Sequence, residues 1–279
     1  MANETTSSTI SELYTEIVAE ALFVASEQSI MRNLVRNYTI AGGGKSVEVP
    51  IYANVSAAAV NEATDLSNTA INPTSVTITA SEVGIMTTLT DLARNSASRN
   101  VAADIGRLFG EAIARKVDAD LSALFTGFST ERGGGAGNEL TVQDLFEARA
   151  DLRTANAPAP YYGVFHPKQI FNVKKSLTNT FVGRDTELSN EAMRSGFVGN
   201  IAGIQIFESS NVSVDGSDDS IGGVFSQDAL ALAMMQDLKI ESQRDASLRA
   251  DELVATAVFG VSEIHDSYGV KLTADSLAN

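Results

Sequence analysis

SASRNVAADIGRLFGEAIARKVDADLSALFTGF, residues 96–128, places apolar side chains at Val101, Ile105, Leu108, Phe109, Ala112, Val117, Leu121, Leu124, Phe125 and Phe128. The steps are mostly three or four, the spacing of one helical face. Asp104, Arg107, Glu111, Arg115, Asp118 and Asp120 fill much of the remaining circumference. Ser96 or Ser98 stands where an N-cap belongs, and Gly127 stands near the end. A helix of about 30 residues is roughly 45 Å long. The stretch reads either as the long core helix of an ordinary domain or as a spine that makes the protein elongated.

Toward the N-terminus, residues 1–9 are polar. Thr9 and Glu12 have the spacing of a capping box, and Ile10, Leu13, Ile17, Val18, Leu22, Ala25, Ile30, Leu34 and Val35 continue a helical face. This segment is either a first core helix or an arm that docks on a neighbouring subunit. Gly42-Gly43-Gly44 breaks it from KSVEVPI, residues 45–51, where Val47, Val49 and Ile51 alternate with polar residues as in a strand. Pro50 confines that strand to an edge. A second strand carries Val76, Ile78 and Ala80. Between them, residues 53–75 are small and polar without a period. So long a connection is uncommon inside a compact domain. The pair reads as an extended hairpin with little core of its own, ordered by a partner surface.

Past the central helix, ERGGGAGN at 131–138 is a glycine loop with no Gly-Lys-Ser/Thr after it, so it is not a phosphate loop. Thr141 and Asp144 open a helix that Ala157-Pro158-Ala159-Pro160 stops. A short buried strand follows at 161–165, and Pro167 starts the next helix. Residues 181–200 read as a loop with one short helix, and strands are expected at 201–209, 221–225, 229–235, 238–243, 252–261 and 268–272. Helices and strands do not alternate as regular βαβ units, so the fold class is α+β.

The chain has 279 residues, no cysteine, no tryptophan and two histidines. Disulfides and thiolate metal sites are excluded, and a histidine metal cluster has little to draw on. With 20 Lys and Arg against 35 Asp and Glu, the net charge of −15 opposes tight binding to a nucleic-acid backbone. No apolar run approaches the roughly 20 residues of a membrane span. Chemistry is sparse. No Gly-x-Ser-x-Gly elbow occurs. His166 reads as a structural hydrogen-bonding residue and His265, beside Asp266, as a surface histidine. Asp215, Asp218 and Asp219 lack the EF-hand spacing and read as a solvated loop. No cofactor or metal is expected.

KSVEVPI (45–51), NEATDLSN (61–68) and VTITASEVGIMTTLTDLARNSA (76–97), then YYGVFHPKQI (161–170) and RADELVATAVFGV (249–261), resemble in order and character the major capsid proteins of tailed bacteriophages with the HK97 fold. The resemblance covers nearly the whole chain. It implies an N-terminal arm at 1–40, an extended loop at 41–93, a peripheral domain with the spine helix at 94–140, an axial domain at 141–238, peripheral return strands at 239–261 and a C-terminal segment at 262–279. It implies a non-enzymatic subunit that assembles into hexamers and pentamers of an icosahedral head around double-stranded DNA, without specific DNA binding. Ile10, Leu13, Ile17, Val47, Val49, Ile51, Glu62, Asp65, Val76 and Ile78 are then the expected inter-subunit contacts.

Family members with an N-terminal scaffolding domain have a longer leader, so a separate scaffolding protein is expected, with a portal protein and, as a further partner, a decoration protein. Members that crosslink use a loop lysine. Here Lys45 lies at the loop's base and residues 46–93 hold none, so a non-covalent shell is expected. Its place is the virion capsid, assembled in the host cytoplasm, with no membrane partner. The alternatives are an encapsulin-type shell and, from other classes, a soluble α+β enzyme or binding protein, or a tail-tube subunit.

Overall fold

A computed structural model describes residues 29–41, 44–52, 70–96, 101–181 and 199–276, with positions 55, 57, 59–61, 65 and 68 between them. The arm helix expected from Ile10 through Ile17, the tip residue Glu62, the side chains of Ser96 and Ser98 and the loop expected at 181–200 lie outside those residues, apart from its two ends.

The central helix is shorter than its periodicity suggests. Asp91–Ser96 forms a separate helix, α1, and the spine helix α2 spans Val101–Ala123. Its 23 residues make it about 34 Å long. The apolar face runs on past the α-helix because Leu124–Gly127 tightens into a 3-10 turn, and Phe128 leaves with an extended backbone. Phe109, Ile113, Val117, Leu121, Phe125 and Phe128 are buried along that face. Leu108 is not part of it, being 57% exposed.

Two sheets pack against the spine. The first has the order β1 (Arg36–Thr39), β10 (Leu230–Asp245), β11 (Ala250–Glu263), β4 (Ser81–Thr90). The second has the order β5 (Glu131–Arg132), β12 (Gly269–Asp275), β9 (Asp219–Ser226), β6 (Tyr161–Phe165), β8 (Ile204–Glu208), β7 (Asn200–Ile201). Helices α3 (Val142–Thr154) and α4 (Pro167–Phe181) cover the second sheet. Leu145, Ala148, Leu152, Ile170 and Val173 from the helices meet Tyr161, Phe165, Ile204, Val224 and Leu272 from its strands in one buried cluster. The capping box of α3 is formed: Thr141 Oγ1 accepts from the Asp144 N–H, and the Asp144 carboxylate accepts from the Thr141 N–H at 2.8 Å.

Several expectations are corrected. Ile30, Leu34 and Val35 do not continue a helix. Met31–Asn33 is a single 3-10 turn, and β1 follows, paired parallel with β10. The residues 81–90 form a ten-residue strand, β4, that brings Val83 and Ile85 opposite Ala257 and Ala255 of β11. Strands expected at 229–235 and 238–243 are one strand, β10, irregular between Met234 and Lys239. Residue 238, the expected end of the axial segment, therefore lies inside a strand of the spine's sheet. The strand expected at 201–209 is interrupted at Ala202 and Gly203, whose φ values of 55° and 75° make the two-residue turn between β7 and β8.

The junction of the two sheets is closed by aromatic rings. Phe125 lies 5.5 Å from Phe225 and 6.2 Å from Phe128 between ring centroids. Glycine makes room for them. A Cβ at Gly223 would fall 2.6 Å from the Phe125 ring, and one at Gly269 would overlap the Phe128 ring. We expect Gly223→Ala and Gly269→Ala each to cost about 1–3 kcal/mol by overpacking. Gly216→Ala, whose Cβ meets nothing within 4 Å, is the near-neutral control. Urea midpoints of the three variants check this.

Candidate subunit contact surface

Strands β2 (Ser46–Ile51) and β3 (Thr74–Thr79) form a sheet of their own. The register pairs Val47 with Ile78, Val49 with Val76 and Ile51 with Thr74. Side chains alternate across a strand, so all five apolar residues share one face, while Ser46, Glu48, Pro50, Ser75, Thr77 and Thr79 form the polar other face. Pro50 is accommodated because each strand has a single partner.

Burial along that face changes from root to tip. Ile78 is fully buried and Val49 is 6% exposed, both packed with Ile40, Ala80, Ala231, Ala233 and Ile264. The structure thus puts these two expected contact residues inside the chain's own core. They root the hairpin, and their burial needs no partner. Val47 and Ile51 are half-buried at the margin of that cluster, and Val76 is half-buried beside Val49. Beyond them Tyr52, Val55, Val60 and Ile71 are 62%, 60%, 52% and 56% exposed. Asp65 is exposed near the tip. The sequence reading missed these four tip residues, although isolated apolar side chains in a small, polar loop were the available signal.

A second feature missed in the sequence is Asp118. It is 1% exposed on the spine helix, and its carboxylate accepts from Ser29 Oγ at 2.7 Å and from the N–H groups of Ile30 and Met31 at 3.1 Å. The carboxylate fastens the point where residues 1–28 join the body. Burial pushes its pKa up, and the hydrogen bonds work against that push. On the far side, Arg244 of β10 donates two bonds to Asp91 at 2.8 and 2.6 Å and one to Asp251 at 3.2 Å. That fork pins α1 to the end of the sheet and holds the guanidinium charged.

The histidines have local duties. His166 Nδ1 accepts from the Lys168 N–H at the start of α4, and burial lowers its pKa. The His265 ring lies tilted against Tyr268 at 4.6 Å between centroids, while its neighbour Asp266 accepts from the Ser129 N–H at 2.7 Å and from the Ser129 hydroxyl. Asp215 closes its own turn by accepting from the Ser217 and Asp219 N–H groups. Among the described residues no cluster of three His, Asp or Glu is placed to hold a metal. No helix among them is long and apolar enough to cross a membrane.

The sequence model of the phage capsid protein family matches residues 73–271. The chain belongs to that family. Solved capsids share the fold. The capsid structure of the cyanophage P-SCSP1u superimposes with a TM-score of 0.68 at 20% identity, over 88% of this chain and 87% of that one. The capsid of a native GTA particle gives 0.69 at 12% identity over 89% and 90%, and Mycobacterium phage Che8 gives 0.62 at 21% over 82% and 84%. No curated protein matches the sequence. The fold is the HK97-like capsid fold, and the protein is a structural, non-enzymatic component of a phage capsid.

Two predictions concern this capsid subunit. Asp118→Ala leaves the buried donors at residues 29–31 without an acceptor and should destabilise it by about 2–4 kcal/mol in denaturant unfolding. Glu263, at the end of β11, has its pKa raised by burial and by the Asp266 charge. Above the unfolded value of about 4.3 the folded chain therefore holds the extra proton, and stability falls as pH rises through the folded pKa. Urea midpoints taken from pH 4 upward should show a shallower fall in Glu263→Gln.

Proposed function

We propose that this chain is the principal shell subunit of the head. It assembles into hexamers and pentamers of an icosahedral capsid, with the hairpin laid over a neighbouring copy. The observation that carries this reading is the hairpin itself, rooted in the core by Ile78 and Val49 while the large apolar residues beyond its paired strands, Tyr52 and Ile71 among them, stand exposed. A two-stranded hairpin is marginal in water by itself. Burying one such side chain is worth about 1.5–3 kcal/mol, and a closed shell repeats the contact at every subunit.

In this reading the six-stranded sheet with α3 and α4 is the axial part, and the spine with the four-stranded sheet is the peripheral part. Val47, Ile51 and Val76 lead into the contact, and Ile10, Leu13, Ile17, Glu62 and Asp65 are further candidates on the arm and tip. The net charge of −15 suits a wall around double-stranded DNA that does not grip it. The absence of lysine from residues 46–93 suits a shell held by non-covalent contacts. A portal protein, a scaffolding protein and a decoration protein are the partners this role calls for, with assembly in the host cytoplasm.

Purified protein examined by negative-stain microscopy and sizing should give closed particles or capsomer rings. Tyr52→Asp and Ile71→Asp should each change the unfolding free energy by no more than about 0.5 kcal/mol, because both sites are exposed in the subunit. The same pair should abolish assembly. Unchanged particles from the double variant would refute the hairpin contact. Nuclease-protected DNA in particles made during infection tests the enclosure of DNA.

A further inference from the structure

The outer strand of a sheet carries unpaired backbone groups, and proteins guard it by keeping it short or by placing proline, lysine or a bulge on it. Among the described residues, the six-stranded sheet ends in β5 and β7, of two residues each, and the four-stranded sheet ends on one side in β1, of four. In the hairpin β2 carries Pro50, and β3 is six residues long. The other end of the four-stranded sheet, β4, has none of these guards. It runs for ten residues, SEVGIMTTLT, with Glu82 its one charge and no proline. Its register with β11 is unbroken from Ser81 to Thr90. In an antiparallel ladder a residue turns its N–H and C=O to the same side, so alternate residues of β4 leave both groups without a strand to pair with. Of the ten, Leu89 alone is buried, and Gly84, which has no side chain to expose, is exposed.

We propose that β4 pairs edge to edge with β4 of a second copy, antiparallel and centred on Ile85 or Met86, joining two four-stranded sheets into one. The choice of a second copy as partner rests on the shell-subunit reading. Length favours it: no other free edge among the described residues is as long, so only a second β4 satisfies nearly all the open groups. Charge agrees. Centred antiparallel pairing sets the two Glu82 carboxylates about 20 Å apart along the strands, beyond the screening length at physiological salt, whereas parallel pairing in register would set them side by side. The large exposed apolar residues of the strand, Ile85 and Met86, lie at its middle and meet their own counterparts. The twofold axis of such a pair stands perpendicular to the sheet, so both spine helices lie on one side of the joined sheet. Two copies in one shell wall have that relation, each with the same face outward.

The chain has no cysteine, so engineered thiols report without background. The full-length protein would carry one substitution at a time, Glu82→Cys, Ile85→Cys, Met86→Cys or Thr88→Cys, and would be oxidised mildly. A disulfide needs Cβ atoms within about 3.5–4.5 Å, while like residues two places off the centre of an antiparallel pair already lie about 13 Å apart. The expected result is a disulfide-linked dimer that forms at least about tenfold faster for Ile85→Cys or Met86→Cys than for Glu82→Cys and Thr88→Cys. Equal rates at all four positions, a maximum at Glu82 or Thr88, or no dimer at any position would overturn the proposal. As a second measurement, the unaltered protein should show slower amide exchange at every other residue of 81–90 when concentrated than when dilute. Exchange slowed at consecutive residues would mean packing on a face of the sheet, and unchanged exchange would mean no contact, so either would overturn the pairing. Crosslinking captures brief encounters and needs no shell. Particles without the crosslinking maximum would leave the shell reading standing and this inference overturned, and the maximum without particles would do the reverse.

Discussion

The end of the spine, from Leu121 to Phe128, is where the two halves of the molecule become one. Phe125 and Phe128 sit in the same buried cluster as Phe109 and Ile113 of the helix, Leu232 and Phe259 of one sheet, and Val164 and Phe225 of the other. The chain passes between the sheets beside this point, through residues 227–229 and 264–268. Ala229 C=O accepts from both Ile264 and His265 there, so the two passages are stitched together. The rings fit because Gly223 and Gly269 present no side chain to them. Interiors are packed to crystal-like density, and a subunit that must hold a fixed shape against many neighbours gains from a junction that cannot slide.

Two segments are fastened to that body at their roots, the hairpin and the chain at residues 29–31. The hairpin is anchored by Val49 and Ile78, and beyond its paired strands Tyr52, Val55, Val60 and Ile71 stand exposed. The N-terminal segment is anchored by a buried carboxylate whose acceptors are taken up by residues 29–31. Both anchors use interior groups. Membership of the phage capsid family and the shared HK97-like fold place this body in a capsid shell.

Much of this was legible in the sequence, and the misses are physical. The alternation of Val47, Val49 and Ile51 against Val76 and Ile78 announced a hairpin because side-chain direction in a strand is a local property. The capping box at Thr141 and Asp144 was visible for the same reason. The strand β4 escaped notice because its Gly84 and Met86 blur the alternation, and it is held by pairing with β11, more than 150 residues away. The stretch ahead of β1 read as helix because Ile30, Leu34 and Val35 keep a helical spacing, which gives way to a 3-10 turn where the chain enters the parallel pairing with β10. Asp118 looked like one more acid on a solvated helix face until the chain at residues 29–31 covered it.

The sequence by itself determined the periods, the caps, the breaks at glycine and proline, the absence of cysteine and the acidic charge, because each depends on neighbours a few residues apart. Tertiary structure alone decided which strands pair, that Val49 and Ile78 are interior while Tyr52 and Ile71 stay exposed, and that a carboxylate on the spine holds the root of the arm. Those outcomes depend on which distant backbone satisfies a hydrogen bond and which distant surface excludes water, and no local spacing encodes either.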